Sequence, residues 1–511
     1  MTIMKKYKYF LIIMSFLTVT VFVPVGCSSN EPVPELVKPG GEDPEPEPEP
    51  LPPLDGNIVA YPAVSGLETS SDFTVIANDV EVWTEKLETP LPTPPYKTGE
   101  ESFVNRVSSY LGTQKVAYAR FSTTGGVRVQ VKVNKEVSHC AVRPKSRNIT
   151  VNGIGTKTLT FDIKGPEKLY VEIDDLPELL IFADAPENES EIPSPDDPNV
   201  YYYEAGKIHN VGKLQIAESG KTVYIEAGAV LAGWIEVRNA TGGTKIKGRG
   251  ILDATVMQGD GNCIYTHFCN NIDIEDIVIR NQSRGWMCYI NQSTNIRFKN
   301  VKITGFGANN DGIDFQGSRS CSVDDCFVRT TDDCIAIKTT GGGAAQLNNE
   351  IKNSTMYGVA SSDGITLGFE TKGPCRNVTV TNCDIIGGRG SSTVGGHSAF
   401  SMICDGAGPM EDILFENIRV EDKVYDHNFD IIVTDGTHYV TGTTPGSISG
   451  ITIKNVHWEK NTVPMHILGY SEQHTVSNVL FEGCTVAGVA LMDASVGNIA
   501  INEFTESIRF R

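Results

Sequence analysis

The stretch NIDIEDIVI (271–279) is answered 24 residues later by NIRFKNVKI (295–303). The same frame returns in SCSVDDCFV (320–328), NVTVTNCDI (377–385), DILFENIRV (412–420), GITIKNVHW (450–458) and NVLFEGCTV (478–486). It is fainter in NNEIKNSTM (348–356) and NIAINEFTE (498–506). Each copy holds two short runs in which apolar and polar residues alternate, the pattern of a strand with one buried face. The runs are broken at Asp276, Asn300, Asp325, Asn353, Asn382, Asn417, Asn455, Gly483 and Glu503. Asn, Asp and Gly tolerate the left-handed conformation that a sharp bend needs. Two strands at a bend, plus a third run completing a turn of roughly 25 residues, cannot bury an apolar face alone; stacked on copies of themselves they make one continuous core. The sequence therefore predicts a right-handed parallel β-helix, an all-β solenoid whose hand follows from the twist preference of parallel crossovers. A leucine-rich solenoid would need a Leu frame with alternating helices, and a β-sandwich would not repeat one register nine times.

Working outward, KTVYIEAGAVLAGWIEV (221–237) and TKIKGRGILDA (244–254) read as earlier, less regular coils. Before them the pattern changes. VRVQVKV (127–133), NITVNG (148–153), TLTFDI (158–163), KLYVEI (168–173) and ELLIFAD (178–184) are short strands separated by turn signals. They predict a small antiparallel β-sandwich over 58–190, joined through APENESEIPSPDDPN (185–199) to the β-helix domain over 196–511. Residues 1–26 belong to neither. Lys5, Lys6 and Lys8 precede an apolar run from Phe10 to Val25, and VPVGC ends at Cys27, so the segment reads as a bacterial lipoprotein signal peptide with Cys27 as the lipidated residue. That run falls short of the ~20 residues a spanning helix needs. The Pro/Glu-rich stretch 27–57 is an extended, self-repelling spacer. An exported lipoprotein is expected, anchored in the outer membrane and facing the periplasm or the cell surface.

The spacer carries eight acidic residues against Lys38, which is −7 of the formal −20. The folded part is thus only modestly acidic, and it shows no basic cluster or recognition helix. That argues against nucleic acid as a partner. Eleven cysteines follow Cys27, an odd number with no CxxC pair, which argues against a cysteine zinc site. Cys326, Cys383 and Cys484 fall in the column just after the bend, which elsewhere holds Ile277, Val301, Ile418 and Val456. They are expected to point inward as small hydrophobes.

The chemistry gathers in GANNDGIDF (307–315) and RTTDDCIAIK (329–338). Asp332 and Asp333 lie 21 and 22 residues after Asp311, close to one coil. Stacked coils are about 4.8 Å apart, so three carboxylates should meet on one face. Like charges that close cannot all ionise freely; at least one pKa should rise and leave an acid protonated near neutral pH. Such a group suits glycoside hydrolysis, and equally a calcium site. Lys338, six residues after Asp332, alternates onto the same face as Asp332.

NNDGID followed by DDCIAI resembles the polygalacturonase-type glycoside hydrolases, whose pattern is N-T-D-G and then D-D-C-[IV]-A at this interval. The resemblance covers roughly 200–480. It implies an inverting hydrolase on a β-helix, with Asp332 as general acid and with Asp311 and Asp333 holding and deprotonating water. It requires neither cofactor nor metal. Inversion implies acid and base carboxyls roughly 6.5–9.5 Å apart. Two elements depart from the family. Where it carries G-H-G, this chain has SSDGITLGFET (361–371), with Asp363 in the His place. Where it carries R-I-K, the chain reads SAFSMICDGAG (398–408), with no Arg or Lys. Asn309, Lys338, Asp363 and His397 are the candidate substrate-binding residues; Lys372, Arg376 and Arg389 are further cations of the region. A sandwich ahead of a β-helix is also similar in layout to the dextranase–isopullulanase family, which cuts neutral α-glucans and likewise lacks the R-I-K element.

A polysaccharide is thus the expected substrate, with a pectic one favoured, for a chain acting as a monomer. A calcium-dependent β-helix lyase and a non-catalytic glycan-binding surface protein are the alternatives. Tyr265, Trp286 and Tyr289 are either sugar-stacking or core aromatics.

Overall fold

The computed structural model describes residues 54–511 apart from 92, 96–100, 102–103, 105–113, 258–261, 340–343, 390–397, 424–426, 438–439, 441–443 and 462–463. The expected signal peptide, Cys27 and most of the spacer lie outside the described residues. The end of the spacer does not: Gly56 N–H donates to the Gly126 carbonyl at 2.9 Å, and Asp55 Oδ1 accepts from Gly126 N at 3.0 Å.

From Val200 the chain winds into coils whose strands pair in parallel with those of the next coil, as a parallel β-helix requires. One inward column shows how the frame works. Ile274, Phe298, Val323, Ile351, Val380, Phe415, Ile453 and Phe481 are register partners in succession, and all are fully buried in one core. Burying such side chains contributes about 1.5–3 kcal/mol each. Phe510 stacks on Phe481 as the last of the column. The bend residues behave as the sequence predicts: Asp276, Asn300, Asp325, Asn353, Asn382, Asn417, Asn455 and Gly483 all have positive φ. Their amides form a ladder, with Asn300 Nδ2 donating to Asp276 and Asn382 Nδ2 to Asn353, both at 2.8 Å.

One copy is misassigned by the sequence reading. NIAINEFTE does not complete the column: its Ile499 pairs with Met465 on another face, and Thr505–Phe510 supplies the missing strand. Alternation signals a strand but not which side of the coil it occupies. The cysteine expectation holds. The eleven cysteines from Cys140 onward are free, and Cys326, Cys383 and Cys484 lie in the core.

Coil length is not constant. Ile272 to Ile296 is 24 residues, Ile313 to Ile335 is 22, Ile335 to Ile365 is 30 and Ile365 to Phe400 is 35, yet each pair is in register. The difference in length falls between these paired strands, and part of it is taken up as bulges in Thr355–Ser361 and Asp384–Arg389.

Ahead of the solenoid, Thr74–Ala77, Val80–Val82, Val127–Lys132 and Thr158–Ile163 form one sheet. A second sheet is built around Gln114–Thr123 and Glu178–Asp184. Val75, Val129 and Phe161 of the first meet Ala119, Val171 and Ile181 of the second in a common core. Two details differ from the expected antiparallel sandwich. Glu178–Asp184 runs parallel to Gln114–Thr123, so the second sheet is mixed. NITVNG forms only an isolated bridge, Asn152 to Thr160, because Asn148 and Gly153 turn the chain at positive φ.

The two sheets and the solenoid form one compact unit, Pro53–Arg511. Tyr118, Tyr170, Leu180 and Phe182 pack on Phe306, Phe327, Tyr357 and Ile386 of the coils. Buried ion pairs cross the same contact: Arg280 with Glu85 at 2.5 Å, and Arg329 with Glu178 at 2.7 Å. Arg329 also donates to the Gly305 carbonyl at 2.9 Å and lies 4.5 Å from the Phe306 ring. It thereby ties the sheet region to the loop that carries Asp311.

Candidate active site

The three predicted carboxylates arrive from two consecutive coils. Asp311 ends the loop after Lys302–Gly305 and precedes strand Ile313–Gln316; Asp332 and Asp333 stand between Phe327–Thr330 and Ile335–Lys338. Gly312 N–H donates to the Asp333 carbonyl at 2.8 Å, and Cys334 N–H to that of Asp363 at 2.9 Å, so Asp311, Asp333 and Asp363 occupy successive coils. Asn310 holds the loop. Its Oδ1 accepts from Phe306 N and Gly307 N, and its Nδ2 donates to the carbonyls of Ser283 and Gly285.

Carboxylate oxygens of Asp311, Asp332 and Asp333 lie within 4.8 Å of one another. That is tighter than the 6.5–9.5 Å expected between two carboxyls with a water on the far side of the sugar. Asp311 and Asp333 are buried and Asp332 is half-buried. Asp333 Oδ1 accepts from Asp363 N at 3.0 Å. Asp311 Oδ1 has no hydrogen-bond partner among the described residues. Burial pushes the Asp311 carboxyl up to about 7, Lys338 working against that rise and Asp333 adding to it. The expectation of a raised pKa within the group is met at Asp311.

The sequence reading missed a fourth carboxylate. Asp314 is fully buried, with neither oxygen hydrogen-bonded among the described residues. Burial and then the negative charge of Asp311 raise it well above the carboxylate range, with Lys338 opposing. Lys338 Nζ lies 3.6 Å from both Asp311 Oδ2 and Asp314 Oδ1, and 4.4 Å from the centre of the Trp286 ring. Burial alone would lower the Lys338 ammonium; the carboxylates around it outweigh burial and raise it. Alternation in IDFQ could have flagged Asp314 as outward-facing, but only stacking brings it to Lys338.

The other candidates fall in different places. Asn309 is half-buried with φ 53°, beside the loop clamp. Asp363 is buried, and its oxygens accept from Thr366 Oγ1 at 2.9 Å, Ser398 N at 2.5 Å and Ser401 Oγ. Its carboxylate is occupied from below the surface, which is a correction to its reading as a sugar-facing group. His397 lies outside the described residues, as does the Arg389 side chain. Arg376 pairs with Glu411 and Lys372 is exposed. Tyr265 and Tyr289 are register partners of each other and, through Tyr289, of Asp314. They share the outer face with the site and are half-buried, with Trp286 edge-on to Tyr289 at 5.2 Å. A cleft of 440 Å³ bordered by Arg147, Thr150, Asp162, Lys164 and Glu167 lies in the sheet region and contains none of the three carboxylates.

The family model described as Glycosyl hydrolases family 28 matches residues 217–504. No curated protein sequence matches the chain. Among solved structures, Dex49A from Penicillium minioluteum is similar with a TM-score of 0.58 and 12% identity, covering 87% of this chain and 94% of that one. The exopolygalacturonase from Thermotoga maritima gives 0.40 and 16%, covering 60% and 84%. The family 28 exopolygalacturonase of Yersinia enterocolitica gives 0.41 and 13%, covering 76% and 94%.

Proposed function

The chain belongs to Glycosyl hydrolases family 28 and is by that membership a polysaccharide-cleaving glycoside hydrolase; on this premise we propose that it cleaves with inversion through Asp332, Asp311 and Asp333. The observation that carries this choice of residues is the meeting of the three carboxylates within 4.8 Å beside Lys338; the inversion rests on the family resemblance. Three carboxylates and one ammonium favour keeping a proton within the set. Asp332, the least buried of the three, gives its proton to the leaving oxygen. Asp311 and Asp333 hold a water between them and take its proton as it attacks the anomeric carbon. The compactness of the set makes stereochemistry the decisive test. Proton NMR of the first product formed should find the anomeric configuration inverted; retention would reject this mechanism.

A pectic, uronate-bearing glycan is the favoured substrate. Lys338 is a lysine placed against the trio, and it is a cation that a uronate would meet. A second reading is a neutral α-glucan, favoured by a specific observation. On the coil beyond Asp363, where the family carries R-I-K, Ser398 and Ser401 are hydrogen-bonded to Asp363 and supply no positive charge. Hydrolysis of polygalacturonate but not of dextran or α-1,3-glucan would support the first reading, and the reverse the second. The proposal extends to location: export, with lipid on Cys27 tethering the enzyme to the outer membrane. Mass spectrometry of the mature N-terminus should find that modification.

A further inference from the structure

A second polar cluster lies on the same sheet, beyond Asp363. His427 and Asp430 belong to strand His427–Val433, and His466 to Met465–Leu468 on the next coil, where Asp430 and His466 are register partners. One ligand atom from each residue, two ring nitrogens and a carboxylate oxygen, lie within 4.8 Å of one another. His427 is 1% exposed, Asp430 0% and His466 7%. His427 Nδ1 is 3.1 Å from the Pro464 carbonyl. A carbonyl only accepts, so Nδ1 carries the proton and Nε2 presents its lone pair. That Nε2 has no hydrogen-bond partner among the described residues, and neither has Asp430 Oδ2. Asp430 Oδ1, by contrast, accepts from His466 Nδ1 at 2.7 Å. A lone-pair nitrogen and a carboxylate oxygen, both buried and both open, sit in one cluster where neither can serve as donor to the other. Buried polar atoms of this kind are rare unless something satisfies them.

We propose that His427, Asp430 and His466 bind a divalent transition-metal ion of the zinc class. Two imidazoles and one carboxylate are the donor set that zinc, cobalt and nickel prefer, whereas calcium and magnesium take oxygen ligands throughout. The Pro464 carbonyl does for His427 what outer partners do at metal centres, fixing the tautomer that leaves the ligating nitrogen free. Three protein donors leave at least one position open to a further ligand. His466, the most exposed of the three, marks the side from which an ion enters. Cysteine spacing is silent about such a site because its donors are His and Asp, spread over two coils.

The test uses the whole mature chain, stripped with a chelator and titrated with zinc chloride in a calorimeter, with calcium and magnesium chloride as comparisons. One zinc per chain is expected, with neither calcium nor magnesium competing. His427→Ala and His466→Ala should each weaken zinc binding by more than the roughly 10–100-fold typical of losing an outer partner. Absence of stoichiometric zinc would overturn the proposal. So would zinc binding unchanged in both variants, or lost in Asp333→Asn instead. Should a variant fail to fold, the wild-type chain with cobalt decides. Intense visible bands of a nitrogen-ligated, low-coordinate ion support the site, and the faint spectrum of a fully hydrated ion rejects it.

Discussion

Two buried polar clusters share one sheet, and the chain balances their charge differently. Around Asp311, Asp314, Asp332 and Asp333 it provides a fixed cation, Lys338, within 3.6 Å of two of the carboxylates. Around Asp430 the ion pair present among the described residues is with His466, whose charge is conditional. An ammonium held permanently in place suits a centre that must keep and pass one proton. Imidazoles with an open lone pair suit a centre completed from outside. On the two proposals made above, the contrast separates a place where bonds break from a place where something is held.

Asp332→Asn should cut the comparison deepest. Losing the general acid is expected to lower kcat by 10²–10⁴-fold, in the range of positioned acid–base groups, with the far-UV spectrum unchanged. A loss under about tenfold, set against that range, would strip Asp332 of its role. Lys338→Met comes next. Burial then raises Asp311 with one opponent fewer, and Asp311 must be ionised to take the proton of water. The acid limb of kcat/KM should therefore move to higher pH by about 1–3 units, the span over which a close opposite charge acts; a limb that stays in place would separate Lys338 from the chemistry. The sign for stability follows from the same shift. Between the ordinary carboxylate range and about 7, native Asp311 holds a proton that the unfolded chain has lost, so its contribution to stability falls as pH rises through that window. Urea midpoints across that range check this.

Asp363→Asn should have a smaller and different effect. An amide can keep the Ser398 N–H on its oxygen only by turning its NH₂ to the Thr366 and Ser401 hydroxyls, which must then accept instead of donate, and exchanging bonds to a carboxylate for bonds to a neutral amide costs about 1–3 kcal/mol in all. The denaturation midpoint should fall at constant m-value. A midpoint equal to wild type would show that the coil beyond the trio is not organised by this carboxylate. The smallest change belongs to a control outside both clusters. Asn382→Ala, at φ 51°, should cost about 1–2 kcal/mol for the left-handed backbone, Asn382→Gly less, and neither should alter kcat.

What the sequence made legible was whatever repeats. Alternation and the Asn column revealed the coils, and an interval near one coil revealed that Asp311 meets Asp333. A second column was present and went unused. The first letters of the copies, Asn271, Asn295, Ser320, Asn348, Asn377, Asp412, Gly450 and Asn478, all turn at positive φ, and Asn295 and Asn377 donate to Asn271 and Asn348. Features that depend on unequal coils stayed hidden. Asp430 and His466 are 36 residues apart, too far for arithmetic based on a 25-residue turn. Asp363 was found by motif position, but its burial depends on Ser398 and Ser401, which lie a 35-residue coil away. The role of Arg329 carries no signal in the sequence, because its partner Glu178 is 151 positions earlier.

Coils of 22, 24, 30 and 35 residues bring their strands into register, so the difference in length is taken up between them, at the corners of a coil or as a bulge. Lengthening such a corner costs entropy only logarithmically, and it shifts no carboxylate relative to its neighbours. The rim can therefore be rewritten by insertion or graft while the reacting centre stays fixed. An engineer wishing to change what this enzyme grips should exchange corners and leave the strands alone.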